Sequence, residues 1–388
     1  MLDKRFIIIC CSALVDPLVI HAYTPILPEL KIIFDVDIGL IALSLTLHML
    51  PLAILSLFSG TLSDFYYRPT ILMYGLFTSS IGSLLAALSP NITMFLFSRG
   101  IQGLGSALIM PVSHALIGDI IPRNVLGKAM GVQAIFTGIF GLVLGPLIGG
   151  FLAGIGWRLV PIILCGYTLV VGILTKIILR NITPAKKRGV SAIFQQIRHV
   201  ASNRNLELLY ACGFISSFCY QGIHPIISDN LSLPPLLISQ NEIAMLFSIT
   251  GFVRILGSFL GGILADKIGP RKTMIIGFPI EVFAALLLTG ANSYWSYLMG
   301  LAILAGFNNL TSISRTTLVL NLMPEARGTA ASFSNFTGFL GFSSAPIIST
   351  QIYVVSGITL VFLFDMFLLL LCVLFVALLR VNNSQHEP

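Results

Sequence analysis

Asp16 is the one carboxylate in the first long apolar run of the chain, about 15 Å from either end of it at helical rise. Tyr23 follows seven residues later, two turns on and so nearly on the same face, whereas His21 is rotated about 140° from Asp16. A later run carries Arg99, Gln102, Ser106 and Met110 as one stripe. Arg99 and His21 fall at similar depth, each roughly 9 Å from the same end of its run. Ionisable groups in such surroundings are expensive to place and act as functional hypotheses by default. The chemistry they suggest is proton exchange: Asp16, with His21, loads and releases a proton while Arg99 responds to its charge. A static ion pair between Asp16 and Arg99 is the competing account.

Further along, Ser217, Tyr220, Gln221 and His224 share one run, with Tyr220 and His224 on one face, and Asn308, Asn309, Ser312 and Arg315 share another. Asn308, Ser312 and Arg315 stack at helical spacing and offer hydrogen bonds to a small molecule, or to a neighbouring helix. His48 and His114 show no partner in the sequence and read as packing residues. Arg254 and Glu281 read as a structural pair, and Asp365 faces either lipid or a neighbour. The six cysteines lie in apolar runs without metal-type spacing, so neither a metal site, a disulfide framework nor a cofactor is expected.

What positions these groups is a membrane. Apolar residues make up 56% of the 388 and charged residues 10%, far from the surface a soluble protein needs. Twelve apolar runs near the roughly 20 residues of a spanning helix fall at about 6–27, 39–62, 71–88, 93–116, 128–153, 159–179, 206–227, 242–265, 273–290, 296–320, 328–350 and 357–379. The first is long enough to span and lacks a cleavage site, so it reads as a membrane helix rather than a signal peptide. With the N-terminus inside, 17 Lys and Arg fall on the cytoplasmic side against Lys31 and Arg158 outside, which predicts an inner-membrane, multi-pass protein with both termini in the cytoplasm. The net charge of +7 therefore lies at helix ends facing lipid head groups, and no nucleic-acid partner is expected.

The chain also repeats itself. Gly60-Thr61-Leu62-Ser63-Asp64 and Gly262-Ile263-Leu264-Ala265-Asp266 are 202 residues apart, as are Pro122 and Pro324, while Pro146 and Pro346 are 200 apart. Six spans return a chain to its starting side, so this predicts two parallel six-helix halves, residues 1–180 and 206–388, joined by a basic cytoplasmic linker at 181–205, with substrate bound between halves.

The segment from Gly262 to Lys272, with Asp266, Gly269 and Arg271, resembles the signature loop of the major facilitator superfamily; Gly60, Asp64 and Arg68 keep part of a second copy. The Asp is read as a latch, accepting from an adjoining helix N-terminus and pairing with Arg. Arg99-Gly100-Ile101-Gln102-Gly103 looks like the family's RxxQG motif, and Gly141 through Gly145, Pro146 and Gly149 is similar to the antiporter motif of its twelve-helix drug:proton branch. His21 to Pro28 resembles the end of helix 1 in bicyclomycin-resistance-type exporters, except that His21 stands where that pattern has an acid.

This resemblance implies an all-α fold of twelve transmembrane helices in two pseudo-symmetric bundles. It also implies a central cavity lined by helices 1, 4, 7 and 10, hence by Tyr23, Gln102, Ser106, Ser217, Tyr220, Gln221, His224, Asn308, Asn309, Ser312 and Arg315. The function expected is proton-coupled export of small amphipathic compounds by a monomeric secondary transporter working by alternating access. A dedicated carrier for one metabolite, such as a siderophore or sugar-like molecule, is the alternative within transport; a non-transporting sensor on the same fold is the alternative outside it. The absence of a P-loop, an HExxH or a nucleophile elbow argues against an enzyme and against ATP-driven pumping.

Overall fold

In hydrocarbon every backbone N–H and C=O must be bonded within the protein, which leaves helices as the structure open to runs this apolar and unpatterned for strands. The computed structural model describes residues 3–56, 67–122, 124–180 and 203–379, and among these there is no strand. Among the described residues twelve helices follow in chain order: α1 Lys4–Ile33, α2 Ile38–Ser56, α3 Arg68–Leu88, α4 Ile92–Ile120, α5 Leu126–Ile155, α6 Leu159–Ile178, α7 Arg204–Ser232, α8 Gln240–Ile268, α9 Pro270–Thr289, α10 Tyr294–Leu322, α11 Arg327–Ser356 and α12 Ile358–Leu378. Ten of them are long and apolar enough to cross a membrane; α7 and α10 fall short because they carry many of the polar groups described below. Large apolar side chains such as Val355, 81% exposed, turn outward where lipid would cover them. The chain is an all-α, multi-pass membrane protein.

Contacts group it into two units, Met1–Gly189 with Ile227–Phe252, and Val190–Ile226 with Val253–Pro388. In the first, α1 is not uniform. Its α-helical part ends at His21, a tight turn holds Thr24–Ile26, and a further helix runs Leu27–Ile33, since Pro25 and Pro28 bring no N–H to the ladder. Helix α5 widens to a π-turn at Gly138–Val143, where Leu144 N–H reaches back to Ile139 O. That turn lies just before Pro146, which cannot bond the Leu142 carbonyl.

The repeat is visible in matching details. Asn91 caps α4 through Met94 N–H (3.0 Å), and Ser293, 202 residues on, caps α10 with a reciprocal box to Ser296. In the first unit α5 lies so close to α1 that a Cβ on Gly149 would stand 2.0 Å from Ala22 O. In the second, at an offset of 200 residues on both helices, the partners have exchanged sizes: Ser349 of α11 faces Gly222 of α7. Gly103 of α4 likewise sits on the backbone of α2, where a Cβ would stand 2.2 Å from His48 O. That approach carries the His48 side chain into the first unit's interior.

Candidate functional site

Asp16 is buried on α1, and its Oδ1 meets His48 Nε2 of α2 at 3.0 Å; the same nitrogen is 3.5 Å from Ser106 Oγ of α4. Two turns further along, Arg99 is wholly buried with its guanidinium 4.2 Å from the centre of the Tyr23 ring. Arg99 Nη1 donates to Gln102 Oε1 (2.5 Å), Gln102 Nε2 passes a bond to Ser83 Oγ (2.8 Å), and Arg99 Nε reaches Ser44 O (3.4 Å). Asp16 therefore meets His48, and the static Asp16–Arg99 ion pair of the competing account is not formed. The reason is spacing: Asp16 precedes Tyr23 by two turns as Arg99 precedes Ser106, so antiparallel α1 and α4 match Tyr23 with Arg99 and leave Asp16 at the level of Ser106.

His48, read from sequence as a packing residue, is thus the missed member of this cluster. Its signal lay in no single-helix spacing, because it enters from α2 over Gly103. His21 lies against α5, where a Cβ on Gly145 would be 3.4 Å from the His21 Cβ.

In the second unit, Ser217, Asn308, Ser312 and Arg315 line one cavity of about 150 Å³ together with Arg254. Tyr220 and His224 are buried on α7 outside that lining; His224 Nδ1 is 2.6 Å from Tyr220 O, and the Arg254 guanidinium sits 4.3 Å above the Tyr220 ring. Gln221 is buried beside them. Asn309 points onto α8, donating to Arg254 O (3.1 Å) and to the Ser258 hydroxyl, so it joins two helices rather than lining the cavity. Arg254 and Glu281 do not pair. Glu281 accepts from Thr311 Oγ1 (2.6 Å) and faces Asn308 Nδ2 (3.5 Å). Asp365 is buried rather than lipid-facing, and Cys219 Sγ lies 3.8 Å from its carbonyl oxygen.

Of the loop motifs, Gly60 and Asp64 lie outside the described residues. Arg68 grips both carboxylate oxygens of Asp119 at 2.6 Å, joining the first residue of α3 to the last turn of α4. In the second copy Asp266 is exposed and makes no ion pair among the described residues; Arg271 instead donates to the C-terminal carbonyls of α12, Val376 O (3.4 Å) and Ala377 O (3.0 Å). Gly262 has open space around its Cα, and Gly269 turns the chain into α9 at φ 91°, where a side chain would be strained.

Known proteins share this plan. The sequence profile of the major facilitator superfamily matches residues 9–229 and 206–388. A multidrug resistance protein, MdtG, of Salmonella paratyphi C (strain RKS4594) is 28% identical over 317 residues, 80% of this chain and 78% of that protein. An uncharacterized MFS-type transporter, YceJ, of Bacillus subtilis (strain 168) is 25% identical over 85% of this chain and 84% of its own. The crystal structure of a bacterial homolog of the human lysosomal transporter Spinster, inward-facing and unoccupied, superposes with a TM-score of 0.81 over 97% of both chains at 15% identity. With the family's profile spanning nearly its whole length and the fold matching over 97% of it, this chain belongs to the major facilitator superfamily and is a membrane transporter of small molecules.

Proposed function

We propose that the chain is a proton-coupled secondary carrier that exports small amphipathic compounds across the inner membrane by alternating access, as a monomer with both termini in the cytoplasm and with residues 1–180 and 206–388 as its moving halves. The observation that carries this reading is the buried Asp16–His48 pair, 3.0 Å apart. A carboxylate and an imidazole so placed hold one proton between two sites, in a bundle where an unpaired charge is costly. Arg99 of α4, bound to the Tyr23 face and to Gln102 rather than to a carboxylate, carries a fixed positive charge two turns away along α1. Rearrangement around Tyr23 would alter the field at Asp16, and through that link substrate and proton compete for one carrier. The likeness to MdtG, named for multidrug resistance, supports the drug-export branch.

Alternation requires ties that form and break. Lys31 Nζ of α1 meets Asp229 Oδ1 of α7 at 2.6 Å, and Ser228 Oγ donates to Thr24 O at 3.1 Å, at the end of the bundle that the Lys and Arg tally puts outside. We assign this pair to the outer gate; Arg68–Asp119, with both residues inside 1–180, holds α3 to α4 within one half.

The reading is tested by deleting the gene and profiling susceptibility to a broad panel of chemically unrelated drugs. Increased sensitivity to several classes is the expected result. Sensitivity unchanged across the panel, with one metabolite accumulating in the cells, would replace drug export with the dedicated carrier.

A further inference from the structure

The cavity of the second unit has a one-sided chemistry. Arg254 of α8 and Arg315 of α10 both reach it, and among the described residues no Asp or Glu lines it. Neither arginine has an ion-pair partner among the described residues. Arg315 is buried and gives Nη1 to Ser334 Oγ at 2.7 Å, while Arg254 rests on the Tyr220 ring with its Nε buried and unbonded. Glu281 is held off behind Asn308, its Oε1 taken by the Thr311 hydroxyl at 2.6 Å.

Two guanidinium groups set among helices without a counter-ion carry a large unfavourable self-energy, which an oxyanion entering between them would relieve through forked, charge-assisted hydrogen bonds. The position of Arg315 is built in: a Cβ on Gly213 would stand 2.5 Å from its Nη1, so only glycine on α7 lets the guanidinium lie there. Phe339 and Phe342 of α11 supply an apolar wall to the same cavity. Its volume of about 150 Å³ takes a head group rather than a whole drug-sized molecule, whose sites run to roughly 300–1,000 Å³.

We propose that this cavity is the docking site for the oxyanion head, carboxylate or phosphate, of an aromatic or alkyl cargo, so that the compound carried is an amphipathic anion. The proposal rests on the carrier reading above and adds to it the charge of the substrate.

The test is direct binding to the purified full-length protein in detergent micelles, by calorimetry and by ligand-dependent Tm, with four probes of one size and shape: benzoate, phenyl phosphate, benzamide and benzamidine. At least one of the two anions should bind about tenfold or more tightly than neutral benzamide, with cationic benzamidine showing no binding; the tighter anion identifies the head group. Arg254→Gln and Arg315→Gln should each weaken the anion about tenfold, and Arg315→Lys should weaken it less. Benzamide or benzamidine binding as tightly as the anions would overturn the proposal, and so would anion binding that survives both glutamine substitutions. The comparison of probes on the unaltered protein needs no variant, and Arg254→Gln leaves the Arg315–Ser334 bond in place should Arg315 variants fail to fold. None of these measurements involves a proton gradient. A protein that binds benzoate but ignores ΔpH would refute the coupling and leave this site standing, and the converse result would do the opposite.

Discussion

Nε2 of His48 stands 3.0 Å from Oδ1 of Asp16, with both side chains shielded by the first unit. A pair of this kind couples its members energetically, because removing either leaves the other buried without its partner. Asp16→Asn, His48→Gln and the double variant, compared by thermal unfolding in detergent, should give an interaction energy of roughly 1–3 kcal/mol. Additive effects of the two single changes would show that the contact does not hold the bundle together.

The Lys31–Asp229 pair, at 2.6 Å with the Asp229 side chain 3% exposed, invites a charge exchange. Lys31→Asp should cut transport about tenfold or more by placing two carboxylates at the tie. Lys31→Asp with Asp229→Lys should restore most of it. Full activity of the single reversal would remove the pair from the gate.

Two glycines of α5 make a controlled comparison. A Cβ at Gly149 would stand 2.0 Å from Ala22 O, whereas one at Gly154 meets nothing within 4 Å. Gly149→Ala should therefore destabilise by about 2 kcal/mol or more through helix separation. Gly154→Ala should be neutral or stabilising by roughly 0.5–1 kcal/mol. Unfolding midpoints measured side by side decide the matter, and equal effects at the two positions would contradict the close approach of α1 and α5.

Asp365 is buried on α12, and among the described residues its carboxylate has no hydrogen-bond donor stronger than the neighbouring Cys219 thiol. Replacing such a group by an apolar side chain of similar size removes an uncompensated desolvation penalty of about 1–3 kcal/mol. Asp365→Leu should raise the unfolding midpoint and leave transport intact. A loss of transport at unchanged stability would instead make Asp365 a working residue.

The twelve spans were readable in the sequence because lipid permits one backbone solution, and the duplication was readable because the Gly-to-Asp loops and the prolines recur at offsets of 202 and 200 residues; the structure adds caps and close-packing positions at the same offsets. Face arguments also worked within a helix: Asn308, Ser312 and Arg315, spaced for one stripe of α10, reach the same cavity. What single-helix periodicity does not encode is the partner across a helix boundary. It matched Arg99 in depth with His21 and left His48 without a role, because the approach of α2 over Gly103 is a property of packing. It placed Asn309 beside Asn308 in the cavity although neighbouring helical residues diverge by about 100°, which turns Asn309 onto α8. The second loop's Asp266 and Arg271 matched a motif, yet Arg271 found the free carbonyls of α12 nearer than a carboxylate.

The most direct trial of the account is uptake into proteoliposomes under an imposed pH gradient, run beside substrate exchange with no gradient, for the unaltered protein, Asp16→Asn and His48→Gln. The unaltered protein should concentrate substrate when the gradient is applied, and both variants should lose that accumulation at least about tenfold while still exchanging substrate. Accumulation in Asp16→Asn equal to that of the unaltered protein would contradict the central claim that the Asp16–His48 pair carries the proton.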